Sequence, residues 1–176
     1  MKRWAIALLL GMWVVVLPAR LGAQQATYAF YLPLVVNGGA FSQEALDVTF
    51  YTNQYRQQYG CPPLTLDEKL TQAAQKHSED MALNDFFSHT GSDGSSPWDR
   101  IRATGYDFLT AGENLAAGYP DAKSVVDAWM NSEGHRANIL NCDFEEIGVG
   151  YYYLPNDSGQ VVYYHYWTQV FAKPKQ

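Results

Sequence analysis

The last third of the chain constrains the fold most. Ile147, Val149, Tyr151 and Tyr153 recur at every second position, and so do Val161, Tyr163, His165, Trp167, Gln169 and Phe171. A period of two predicts strands, because successive side chains point to opposite faces. Asn156-Asp157-Ser158-Gly159 between them carries turn chemistry, so the pair reads as a β-hairpin. Six of the 13 tyrosines fall between residues 151 and 166. They form either an aromatic face for sugars or lipids, or cross-strand pairs that need no ligand; the β-propensity of tyrosine favours the pairs.

The segments upstream have helical periods. Ser42 caps a helix over about residues 43–59, in which Leu46, Thr49, Phe50, Asn53 and Arg56 recur at three-to-four spacing before Gly60. Cys61-Pro62-Pro63-Leu64 makes a stiff connection. Thr65-Leu66-Asp67-Glu68 reads as a capping box for a helix over about residues 66–84. His77 falls on its apolar stripe with Leu70, Ala73, Ala74 and Met81. It reads as a core histidine with hydrogen-bonded ring nitrogens; the alternative is a ligand. Residues 90–96 form a polar loop, and Ser96-Pro97-Trp98 opens a short helix that ends before Gly105. Asp121 caps a helix to about Asn131, with Val125, Val126, Trp129 and Met130 facing inward. Three or four helices with a small antiparallel sheet predict an α+β chain, most simply an α-β-α sandwich.

The start of the chain reads differently. Lys2 and Arg3 precede an apolar run from Trp4 to Leu17, and Leu21-Gly22-Ala23 offers a cleavage site, so residues 1–23 read as a secretory signal peptide. Residues 24–41 are a linker or an added strand; Pro33 and Gly38-Gly39 favour the linker. Residues 42–172 form one domain. Cleavage removes Lys2, Arg3 and Arg20 and no acids, leaving 9 basic against 18 acidic residues. Such a protein is poorly suited to nucleic acid or an anionic membrane. Behind a signal peptide, the two cysteines Cys61 and Cys142 predict a disulfide.

Several stretches together carry a resemblance: Phe86-Phe87-Ser88-His89, Ala111-Gly112-Glu113-Asn114-Leu115, and Ser132 to Cys142 running on to Ile147-Gly148-Val149-Gly150. In this order they resemble the CAP superfamily (cysteine-rich secretory proteins, antigen 5, pathogenesis-related 1), in its bacterial SCP-like branch. Asn53 with Arg56, and Ala74 with His77-Ser78, are similar to family patterns too. The resemblance implies the α-β-α architecture, with 111–118 as a short strand, and a cleft of two histidines and two acids: His89, Glu113 and His135. Glu133 is the candidate second acid, although bacterial relatives often carry proline there. Arg136 and Asn138 would anchor the turn after His135.

Two neutral imidazoles suit zinc or another divalent metal, and a carboxylate on the far ring nitrogen fixes the tautomer. The expected set is therefore His89 and His135 as ligands, with Glu113 and Glu133 behind them. Two ligands are fewer than a catalytic zinc normally has. No His-Glu-x-x-His helix or Gly-x-Ser-x-Gly elbow is present. The reading is a secreted, monomeric, extracellular binding module for a lipid, a cell-envelope component or a protein. The alternative is a metal-assisted hydrolase of peptide or envelope material, with Glu113 as general base. Free secretion is expected, without a lipobox cysteine near the cleavage site or a wall anchor at Lys173 to Gln176.

Overall fold

A computed structural model describes residues 41–175. The expected signal peptide and nearly all of the 24–41 segment lie outside the described residues. The elements are α1 (Gln43–Gln58), β1 (Thr65–Leu66), α2 (Glu68–Leu83), α3 (Pro97–Ala103), β2 (Phe108–Ala117), α4 (Ala122–Asn131), α5 (Glu133–Ile139), β3 (Glu146–Tyr153) and β4 (His165–Pro174). The sheet order is β1-β3-β4-β2. The three long strands run antiparallel, as the hairpin pattern predicts, and β1 adds a two-residue parallel pairing to β3.

Strand alternation divides the sheet between two layers. Ile147, Val149, Trp167 and Phe171 pack with Val48 of α1, Val125, Val126 and Trp129 of α4, and Ile139 of α5. The opposite face meets α2: Val170 and Ala172 pack with Leu70, Ala73 and Ala74, and Tyr166 packs with Met81. On that face β3 presents glycines. A Cβ at Gly148 would lie 2.1 Å from the Leu70 backbone, and one at Gly150 would lie 2.3 Å from the Ala74 backbone. Only bare backbone lets helix and strand approach this closely.

Three caps match their sequence signals: Ser42 on α1, Ser96 on α3 and Asp121 on α4 accept from Ala45, Asp99 and Ser124 backbone N–H groups. The second helix differs. Its cap is Asp67, not Thr65, because Thr65 and Leu66 are drawn into the sheet beside Glu146 and Ile147. Pairing with a strand far along the chain outweighs the local capping box. β2 is longer than residues 111–118, starting at Phe108. β4 begins only at His165, so Val161 and Tyr163 of the alternating run lie in the connecting loop. That loop is held by carboxylates: Asp157 accepts from Tyr163 N–H, Tyr164 N–H and the Tyr166 hydroxyl, and Asp85 accepts from Gln160 and Val161 N–H. The tyrosines of the strands make direct cross-strand pairs, Tyr151 with Trp167 at 4.2 Å and Tyr153 with His165 at 4.9 Å between centroids.

Arg56 is wholly buried in α1. Its Nε donates to the Pro62 carbonyl at 2.8 Å, Nη1 to those of Ile139 and Asn141 at 2.8 Å, and Nη2 to Phe144 at 3.1 Å. No carboxylate forms a salt bridge with it among the described residues. Burial lowers its pKa to about 10, so it stays charged at neutral pH. Asn53, one turn earlier, bonds both the N–H and the carbonyl of Leu64. Cys61 and Cys142 are joined, as expected, across a sequence separation of 81.

Gly150→Ala should destabilise the fold by about 1–3 kcal/mol or more, by overpacking α2. Gly134→Ala, with nothing within 4 Å of the new Cβ, should be neutral or stabilise by up to about 1 kcal/mol; urea titration of both separates the cases. Replacing both cysteines by alanine should lower stability by about 2–5 kcal/mol, read as a fall in the denaturant midpoint.

Candidate functional site

The site is built on β2, the edge strand, from both of its faces. Glu113 and Asn114 are neighbours and point to opposite sides of the sheet. Glu113 turns toward α3 and the loop after α2. Its Oε1 accepts from His89 Nδ1 at 2.7 Å, and its Oε2 accepts from Arg100 Nη2 at 2.8 Å. A carboxylate can only accept, so Nδ1 of His89 carries a proton. The Glu113 side chain is 2% exposed, whereas that of His89 is 55% exposed. The acid is thus buried support, and the imidazole is exposed.

Asn114 turns toward α5. Its Nδ2 donates to the His135 carbonyl at 3.1 Å, and its Oδ1 accepts from Asn138 Nδ2 at 2.8 Å. Asn138 Nδ2 also reaches the Glu113 carbonyl at 3.2 Å. His135 is therefore fixed beside the strand residue next to the one that holds His89. Burial lowers the His135 pKa, and the nearness of His89 lowers it further. His135 is accordingly neutral at neutral pH.

Of the four sequence-predicted residues, His89 and Glu113 touch directly, and His135 is linked to the neighbouring strand residue Asn114 through its backbone carbonyl. Glu133 is exposed at the start of α5 and takes no part in the His89–Glu113–Arg100 network. α5 itself has no clear mark in the sequence; the Ser132–Asn141 stretch reads locally as a turn, and Gly134 masks its helical period. Asn138 does anchor the segment, onto β2, and Arg136 donates to the Met130 carbonyl. Sequence reasoning missed Arg100. The guanidinium grips the His89 carbonyl with both terminal nitrogens, at 3.1 and 3.0 Å, besides Glu113. Its only sequence signal is its place in the first turns of the helix after Ser96-Pro97.

A groove of about 300 Å³ is lined by His135, Leu115, Tyr119, Trp129, Phe87 and Tyr163. The last two rings meet edge to face at 5.8 Å. The free edge of β2 is blunted here: Trp129 Nε1 donates to the Leu115 carbonyl at 2.9 Å, as Asn138 does to Glu113. Side chains thus occupy carbonyls that another strand would need. Among the described residues, no group of three or more histidine, cysteine, aspartate or glutamate side chains is placed to hold a metal. No helix there is long and apolar enough to cross a membrane.

The Tyr163 wall depends on Asp157. Burial would raise the pKa of this carboxyl, but the bonds from Tyr164 N–H, the Tyr166 hydroxyl and Tyr163 N–H outweigh it and hold the pKa below the ordinary value. The stabilisation is full above the unfolded pKa of about 4 and is lost as pH falls through the depressed folded value. Asp157→Asn should lower stability at neutral pH and flatten the acid limb of the stability–pH profile, measured by denaturant titration at a series of pH values.

The sequence and the fold have known counterparts. A profile of the cysteine-rich secretory protein family, CAP, matches residues 49–171. The Bacillus subtilis uncharacterized protein YkwD is 45% identical over 120 residues, covering 68% of this chain and 43% of that protein. The B. subtilis uncharacterized membrane protein YlbC is 42% identical over 108 residues, covering 60% of this chain and 31% of that one. The chain thus spans less than half the length of these relatives. An extracellular protein of Bacillus anthracis containing an SCP domain superposes with a TM-score of 0.65 at 31% identity, over 77% of this chain and 45% of that one. An outer surface protein of Borrelia burgdorferi shares the fold over 78% of this chain and its own full length, with a TM-score of 0.66 at 23% identity.

Proposed function

The chain belongs to the cysteine-rich secretory protein (CAP) family, and from that premise we propose that it is a secreted binding module whose ligand sits between His89, His135 and the Phe87–Tyr163 groove. The observation that carries this reading is the state of Glu113. Both of its oxygens are committed, one to His89 and one to Arg100. A carboxylate neutralised by a guanidinium and turned toward an imidazole orients that imidazole; it is a poor general base for water. The arrangement therefore favours binding over hydrolysis.

The donor set fits a divalent ion held by two residues. His89 Nε2 and His135 would hold it, with water completing the shell, and Glu113 would keep the His89 tautomer correct. A bound ion would add a Lewis-acidic anchor for an oxygen-bearing ligand. With two protein ligands, occupancy should be weak and reversible. The aromatic groove beside it suits an apolar or aromatic portion of the same ligand, as in a lipid or an envelope component. Export is supported by the signal-like N-terminus, the disulfide, and the extracellular description of the B. anthracis relative.

Zinc titration by calorimetry on the purified protein near pH 7.5 tests the metal arm. One saturable site is expected, abolished in both His89→Ala and His135→Ala and weakened about 10–100-fold in Glu113→Gln. No heat of binding by the folded wild type would remove the metal from the proposal and leave the groove, to be probed with a fluorescent fatty acid.

A further inference from the structure

His77 is wholly buried on α2. Its Nε2 lies 2.9 Å from the Ser88 carbonyl, and its Nδ1 is buried with no hydrogen-bond partner. A carbonyl can only accept, so the proton is on Nε2 and the orphan atom is a bare lone pair. An apolar ring of similar size would fill this place without a buried orphan nitrogen, but would give up the bond to Ser88. The hydrogen bond to Ser88 is what the histidine adds. Ser88 precedes His89, and the next carbonyl, that of His89, is gripped by Arg100. Two consecutive carbonyls are thus held from two helices, α2 and α3, while Glu113 holds the His89 ring.

We propose that His77 is a positioning residue for His89: a neutral imidazole that clamps the Ser88 carbonyl and so sets the peptide from which His89 reaches the cleft. The charged groups around it are consistent with a neutral ring. Burial first, and then the Arg100 charge, hold its pKa below the usual value against the pull of Glu113, the Ser88 carbonyl and Asp80. A proton on Nδ1 would have no acceptor. The inference deepens the proposed binding cleft, and only its zinc readout rests on that reading.

The test is nitrogen-edited NMR of the imidazole rings in the whole protein, beside variants. At neutral pH, His77 should show the Nε2–H tautomer with a slowly exchanging proton. In His77→Phe, the His89 ring should lose its fixed orientation, read by side-chain relaxation, and zinc affinity should fall about 10–100-fold, as for loss of a group supporting a ligand. His77→Gln, whose amide reaches the same carbonyl, should restore both; a purely structural role would not be rescued in this way. If His77→Phe does not fold, His77→Asn, too short to reach Ser88, takes its place. A charged or Nδ1-protonated His77, or a folded variant with the His89 ring as ordered as in wild type, overturns the proposal. If the wild type binds no zinc, the metal reading fails while the ring-order measurement still decides this one.

Discussion

Arg56 is the point on which the remaining structure hangs. A guanidinium with no exposed surface and no acid beside it needs other partners, because an unpaired buried charge is strongly destabilising. It finds them in four backbone carbonyls, those of Pro62, Ile139, Asn141 and Phe144. Two consequences follow. The last carbonyl of α5, that of Ile139, which the helix leaves without an intrahelical donor, is satisfied. The segment from Pro62 is also drawn to the segment around Cys142, where the disulfide closes. Charge, cap and cross-link act at one place, and they fix the end of the helix that carries His135.

The cleft is organised by a second guanidinium. Arg100 neutralises Glu113 and holds the His89 backbone at once. With Arg100 present, the negative charge is shared, and Glu113 acts as a hydrogen-bond acceptor that orients the ring. Burial first, and then the nearness of His89, hold the His135 pKa below its ordinary value. The two histidines are therefore tied to neighbouring residues of one edge strand, His89 through the Glu113 side chain and the His135 carbonyl through Asn114.

Much of this was legible from local patterns. Ser42, Ser96-Pro97 and Asp121 start helices where capping chemistry says they should, because a cap satisfies N–H groups within its own few residues. The alternation of Ile147 to Tyr153 marks the position of strand β3. The failures are of one kind. Thr65 and Leu66 leave the predicted capping box for a sheet pairing 81 residues away. Val161 and Tyr163 keep the alternating pattern but lie in a loop held by Asp157 and Asp85. Arg100 enters the site with no local mark of it. In each case the deciding partner is distant in sequence.

The division has a physical cause. The sequence by itself determined the starts of α1, α3 and α4, the hairpin, the cysteine pair and the family, because periodicity, capping and motif order are short-range properties. Tertiary structure alone decided which carboxylate oxygen faces which cation, that Glu133 stays outside the network, that Gly148 and Gly150 admit α2, and that His77 is left with one bonded and one orphan nitrogen. Those outcomes depend on ångström-scale separations between segments far apart in the chain, and such separations are set only when both layers close on the sheet.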